Sequence, residues 1–327
     1  MKYNVCYLIL LSIICLCFAC ENQITIAERF THFTPIPERM VISNTLSIPN
    51  DPNGHIQGVA YFWDDNSKQG YFFLSGSSDS LSYYVVADEY TQEVIAVDTF
   101  FSGALRHAGG MQILDRFLAV GVEDNIKVDR SKVCLYEIIG PANKKLKLLK
   151  TIERQGPEKR YTAGCVALAK VKDQLIIAAG NWDTKNIEFY ALPIDEVYNP
   201  VSAFEEVFSF DTQTADRSKW SDTSWHAYQN ISLISESDEL YLFGTAKKDT
   251  TDFEVIDLYK IKNAARNDFS LQKVAQQIYA NPDTTTTFKW GGGVRPDFIG
   301  DLNFYSTNRT IEDSLYLDIF RTDRIPH

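Results

Sequence analysis

The sequence predicts an all-β chain of five repeats, each built from short strands, and three observations carry that prediction. A turn of small residues feeds a short apolar strand five times along the chain, at intervals of roughly 50–65 residues. A second apolar strand ending in Gly or Ser follows each one. Finally, a lone strand-like run stands before the first repeat, while the last repeat runs out of chain before its fourth strand.

The first strands are His55–Ala60, His107–Gln112, Thr162–Ala167, Ala227–Ser232 and Trp290–Arg295, aligned on Gly58, Gly110, Cys165, Asn230 and Gly293. The second strands are Tyr71–Gly76, Phe117–Gly121, Leu175–Gly180, Leu240–Gly244 and Leu302–Ser306. Third strands follow at Leu81–Val86, Val133–Ile138, Ile187–Leu192, Val255–Lys260 and Leu315–Phe320. Phe189 and Ala191 alternate with Glu188 and Tyr190, which suits a strand whose two faces differ. Fourth strands read as Glu93–Val97, Lys147–Thr151, Glu205–Phe210 and Gln272–Gln276. The fifth is missing, so the run Arg39–Asn44 is expected to complete it and close the ring, which removes open sheet edges. The expected fold is a five-bladed β-propeller of four-stranded blades. Helix signals are confined to single turns at Pro193–Tyr198 and Asn263–Arg266.

Met1-Lys2 opens the chain with one positive side chain, and Val5–Phe18 is an apolar run. It is shorter than the ~20 residues a membrane span needs, and reads as an export leader. Cys17-Phe-Ala-Cys20 follows. This end resembles a bacterial lipoprotein signal, which implies that Cys20 becomes the acylated first residue; an ordinary cleaved leader is the other reading. The expected division is a signal peptide over 1–19, a tether over 20–35 and the propeller over 36–327. The expected address is the cell envelope, periplasmic or surface, with the membrane as a partner through Cys20.

Four of the six cysteines, Cys6, Cys15, Cys17 and Cys20, lie in the leader or at its cleavage point, leaving Cys134 and Cys165 within apolar strands, where buried free thiols are expected. No metal-ligand spacing is present, and no cofactor is expected. The net charge of −11 argues against a nucleic-acid partner, whose phosphates would be repelled.

Up-and-down strands bring two sets of connections to one end of such a wheel. The set before each first strand carries His55, Arg106-His107, Arg160-Tyr161, Trp225-His226 and Lys289-Trp290. The set after each second strand adds Glu123, Asn181-Trp182-Asp183 and Thr307-Asn-Arg309. Aromatics mixed with a few placed polar groups suit a sugar or other polar ligand, and local cations favour an anionic group. With Arg295, these residues form the candidate binding set: His55, Arg106, His107, Arg160, Tyr161, Trp182, Trp225, His226, Lys289, Trp290 and Arg295.

Asn50-Asp-Pro-Asn-Gly54 resembles the signature of the five-bladed glycosidases that act on fructans and sucrose. The resemblance implies Asp51 as nucleophile, with Glu123 and Asp183 as the carboxylates placed to assist it. The family's Arg-Asp-Pro stands here as Arg295-Pro296-Asp297, and no Glu-Cys pair is present. The same Asn-Asp-Pro-Asn-Gly string also suits a tight turn. Three functions therefore stay open: a propeller binding a glycan or anionic small molecule, a glycoside hydrolase, and a protein-interaction scaffold whose partner the sequence does not name.

Overall fold

The computed structural model describes residues 24–49, 51–141, 145–248, 251–262 and 270–323. The leader, Cys20, Asn50 and the turn expected at Asn263–Arg266 lie outside the described residues.

A short helix, α1 (Ile26–Thr31), precedes strand β1 (Phe33–Ser43). Strands β2 (His55–Asp64), β3 (Gln69–Ser77), β4 (Leu81–Asp88) and β5 (Glu93–Ser102) pair antiparallel in chain order. Single parallel pairs, Gly292 with Gly58 and Ser43 with Glu93, join them to the strands at the two chain ends. The next sheet holds β6 (His107–Leu114), β7 (Phe117–Glu123), β8 (Arg130–Gly140) and β9 (Lys145–Gln155). A third holds β10 (Cys165–Val171), β11 (Gln174–Gly180), β12 (Asn186–Pro193) and β13 (Glu205–Asp211). A fourth holds β14 (Asn230–Glu236), β15 (Glu239–Lys247), β16 (Phe253–Lys262) and β17 (Ser270–Ala280). The last strands are β18 (Thr287–Pro296), β19 (Leu302–Thr307) and β20 (Ser314–Thr322).

β1 supplies the strand that the last repeat lacks. It runs antiparallel to β20, with Met40 opposite Leu317 and Ile42 opposite Leu315. The first strands β2, β6, β10, β14 and β18 contact one another in that order, and β18 returns to β2 with Gly292 opposite Gly58. Apolar clusters fill the spaces between neighbouring sheets, such as Phe73, Tyr84, Met111 and Leu118 between the first two. Cys134 and Cys165 are buried free thiols.

The small residues of the first strands have a packing reason. A Cβ on Gly293 would lie 2.0 Å from the Val59 carbonyl oxygen, and one on Gly110 would lie 2.4 Å from Asn230 Oδ1. Larger side chains there would push the inner strands apart. Side chains also cross the axis. Gln112 Oε1 accepts from the Leu168 and Leu233 N–H groups at 3.0 and 2.8 Å, and Asn230 Nδ2 donates to the Gln57 carbonyl at 2.7 Å.

Residues 25–35, expected to belong to a tether, instead form α1 and the start of β1. Thr25 caps α1 in a reciprocal capping box with Glu28, and Ile26 and Phe30 are buried on one side of the helix. Phe30 packs edge-on to Phe243 at 5.4 Å. One apolar pair four residues apart is too short a signal to mark a helix without its tertiary partners. The turn expected at Pro193–Tyr198 is a single 3₁₀ turn over Ile194–Glu196.

Candidate functional site

First strands start, and second strands finish, at the same end of the wheel. Three first strands break register just inside that end: β2 between Ile56 and Gly58, β6 between Ala108 and Met111, and β18 between Thr287 and Gly292. Such bulges re-aim side chains at the rims of sheets. Here they surround a cavity of about 400 Å³ lined by His55, Gln57, His107, Glu123, Trp182, Lys289, Trp290 and Arg309, with Asn53, Asn125, Gly164, Tyr228 and Gln229.

Four rings form a row across this cavity. Trp182 stacks on His107 at 5.5 Å, His107 lies 5.4 Å from His55, and His55 meets Trp290 edge-on at 5.5 Å. Lys289 and Arg309 stand over the Trp290 ring at 5.3 and 5.1 Å, which puts two cations at one side of the cavity. Trp182 keeps 41% of its surface exposed, although its ring is backed by an imidazole.

Hydrogen-bond partners set the imidazole tautomers. His55 Nδ1 lies 2.8 Å from the Asn53 carbonyl, so it carries the proton and leaves Nε2 to accept from the Gln57 amide. The same amide reaches His107 Nε2 at 3.2 Å. His107 Nδ1 stands 3.1 Å from Glu123 Oε1, out of line for a directed hydrogen bond. Glu123 is fully buried, and its other oxygen accepts the Ala163 N–H at 2.6 Å. Gln57 thus locks both histidines by one side chain.

Burial, and then the neighbouring His107, push the His55 imidazole down to about 4, so the folded protein holds it neutral. An unfolded chain would take up that proton near pH 6.5, and stability linked to His55 is complete above that pH. It is lost as pH falls from about 6.5 toward 4, by roughly 3 kcal/mol in all. Urea midpoints across this range should therefore fall less steeply for His55→Gln than for the wild type; parallel curves would remove His55 from the linkage.

The structure brings together only part of the candidate set. His55, His107, Glu123, Trp182, Lys289 and Trp290 line the cavity. Trp225 and His226 line an adjoining cleft of about 160 Å³ that shares Gln229 and Lys289. In that cleft Trp225 Nε1 and His226 Nε2 are buried without hydrogen-bond partners, while Trp225 packs against Phe210 at 5.1 Å and Tyr259 at 5.3 Å. Arg106 stays beside the cavity, donating to Asn125 Oδ1 at 3.2 Å and to the Asp79 carbonyl.

Other members stand elsewhere. Arg160 pairs with buried Glu188 and lies over Tyr161 at 4.9 Å, a self-contained cluster outside the cavity lining. Arg295 sits at the opposite end of β18, over the Tyr61 ring at 4.1 Å, and lines a separate 530 Å³ cavity with Trp63, Arg116 and Phe298. Arg295 was expected in the binding set, but it stands at the far end of the ten-residue β18 and so lies outside the cavity.

The three carboxylates do not gather into one centre. Asp51 reaches across to the β3–β4 turn, where its Oδ2 accepts the Asp79 N–H at 2.7 Å; its Oδ1 is buried without a hydrogen-bond partner, and its backbone carbonyl closes the turn to Gly54 at 2.9 Å. Asp183 pairs with Lys185 at 2.7 Å. Among the described residues, no hydrogen bond or ion pair joins any two of Asp51, Glu123 and Asp183.

Gln57 and Arg309 are cavity side chains that the candidate set left out, as are Asn53, Asn125, Tyr228 and Gln229. Gln57 stands two positions after His55, and strand periodicity puts both on one face. Arg309 belongs to the loop after β19, where its guanidinium also donates to the Pro52 carbonyl at 3.2 Å.

No protein-family model matches the chain, and no curated protein matches it. Solved structures do. An α-L-arabinanase of Penicillium chrysogenum, complexed with arabinobiose, has a TM-score of 0.50 at 8% identity, over 88% of this chain and 99% of that one. A GH93 α-L-arabinofuranosidase of Fusarium graminearum with arabinobiose has a TM-score of 0.50 at 7% identity, over 88% and 98%. The fold is a β-propeller. A bifunctional GH43-CE protein of Bacteroides eggerthii shows 9% identity and a TM-score of 0.48, and the chain spans about a third (34%) of its length. Identities this low speak for the shared propeller alone.

Proposed function

We propose that this chain is an exported, lipid-anchored protein whose five-bladed propeller holds a polar glycan, neutral or anionic, in the His55–Trp182 cavity. The carrying observation is Trp182, an exposed indole backed by an imidazole at the mouth of a cavity that also presents Lys289 and Arg309. A sugar ring lays its C–H face on such a platform, while the two cations donate to hydroxyls or to a carboxylate. The five-bladed count is supported by the ring of first strands and by β1 pairing with β20.

Arabinobiose is the first ligand to test, because both propeller neighbours quoted above were solved with it. Titration calorimetry against arabinobiose, an arabinan fragment and a uronic-acid oligomer should find one that binds. Trp182→Ala should then weaken that ligand at least tenfold, about 1.4 kcal/mol, with an unchanged unfolding midpoint. Unchanged affinity would sink the site. Hydrolysis with Asp51 as nucleophile draws support from the glycosidase neighbours, but its carboxylate bonds to the Asp79 N–H of the β3–β4 turn and joins neither Glu123 nor Asp183.

A further inference from the structure

We propose that the end of the wheel opposite the glycan cavity rests on the lipid bilayer, so that the cavity faces away from the membrane. The inference deepens the lipid-anchor reading of Cys20 and rests on it. Strand direction defines this second end: it carries the turns between first and second strands and between third and fourth strands.

The anchored end of the chain arrives there. Ile26 N–H donates to Glu236 Oε2 at 2.9 Å, and Arg29 pairs with Glu236 at 3.2 Å, where β14 finishes. Arg29 also covers the turn after β18, since a Cβ on Gly300 would lie 3.2 Å from its Nη1. Ile24, the first described residue, follows Cys20 by four positions. Even fully extended, that segment spans only about 14 Å. A lipid on Cys20 therefore holds this end, and no other, close to the bilayer.

The same end is edged with bare apolar side chains from separate sheets. Tyr90 and Val201 are each 87% exposed, Phe298 is 77% exposed, and Ile299 and Tyr198 are also exposed. Tyr90 tips the β4–β5 turn, Tyr198 and Val201 the β12–β13 connection, and Phe298 and Ile299 the β18–β19 turn. Aromatic and aliphatic tips of this kind suit the boundary between headgroups and acyl chains. Each would bind weakly alone, but a short tether raises the local concentration of lipid enough to keep them seated.

The test uses the full, processed chain reconstituted in phosphatidylethanolamine/phosphatidylglycerol vesicles that contain nitroxide-bearing lipid. Phe298→Cys and Ile126→Cys, the latter in the β7–β8 loop beside the cavity, each carry a thiol-linked fluorophore; native Cys134 and Cys165 are buried. Nitroxide lipid should quench the label at 298 at least threefold more than the label at 126. Flotation with the vesicles, lost in Cys20→Ala, reads the anchor separately. A floating protein with equal or reversed quenching overturns the orientation and leaves the anchor standing. A label at 298 shielded from aqueous iodide yet not quenched by lipid would mean that a protein surface covers this end, which also overturns it. Failure of the wild type to float removes the anchor and the orientation with it.

Discussion

Arg39→Ala is expected to lower the unfolding free energy by roughly 3 kcal/mol, because it breaks the charge pair that fastens the N-terminal strand. Arg39 on β1 donates from Nε and Nη2 to the two oxygens of Asp318 on β20, both at 2.7 Å. Asp318 is buried and also accepts the Thr286 hydroxyl, while Arg39 reaches on to Asp283. These hydrogen bonds, led by the one to Asp318, push the guanidinium further above its already high range. Removing the arginine leaves a buried carboxylate without its counter-charge at the seam between the two chain ends. Denaturant unfolding measures the loss, and hydrogen exchange locates it: β1 and β20 should lose protection before β10–β12. A loss under about 1 kcal/mol would show that the seam is held by apolar packing of Ile42 and Leu317 rather than by this pair.

Lys273→Met is expected to cost about 3–5 kcal/mol, the range for stranding one member of a buried ion pair. Lys273 has no exposed surface, and its ammonium lies 3.0 Å from both Asp257 and Asp222. Asp257 is equally buried and also takes hydrogen bonds from Tyr228 and Gln276. The Asp222 carboxyl is held below the usual range first by the Ser224 hydroxyl, with Lys273 contributing. Lys273 also donates to the Ser224 carbonyl at 3.2 Å, next to Trp225 and His226, so its loss should loosen the adjoining cleft as well. Adding Asp257→Asn to Lys273→Met removes the orphaned charge, and the double variant should recover much of the stability. Thermal and urea unfolding of the four species close this cycle. Strictly additive losses would show that the two groups act independently.

The strands were legible from local pattern. Runs such as Leu175–Gly180 and Leu315–Phe320 fall inside β11 and β20, since apolar strands bounded by turns carry their own signal. The short Thr25-capped helix was not, because its stability comes from burying Ile26 and Phe30 against distant strands. The candidate cavity was partly legible. Placement before first strands and after second strands leads to His55, His107, Trp182 and Trp290, but the same rule also collects Arg160 and Trp225, which have other neighbours. Which member faces the axis depends on bulges and on pairings with residues far along the chain.

By itself the sequence determined the all-strand repeats, the small residues on the inner strands and the end of the wheel where unusual side chains collect. All of these follow from periodicity and turn chemistry, which act over a few residues. The tertiary structure alone decided that Gln57 bridges two histidines, that the Asp51 carboxylate bonds to Asp79 in the β3–β4 turn and that Arg295 stands at the far end. Those outcomes depend on hydrogen-bond direction and on contacts between segments distant in the chain, and no local pattern encodes them.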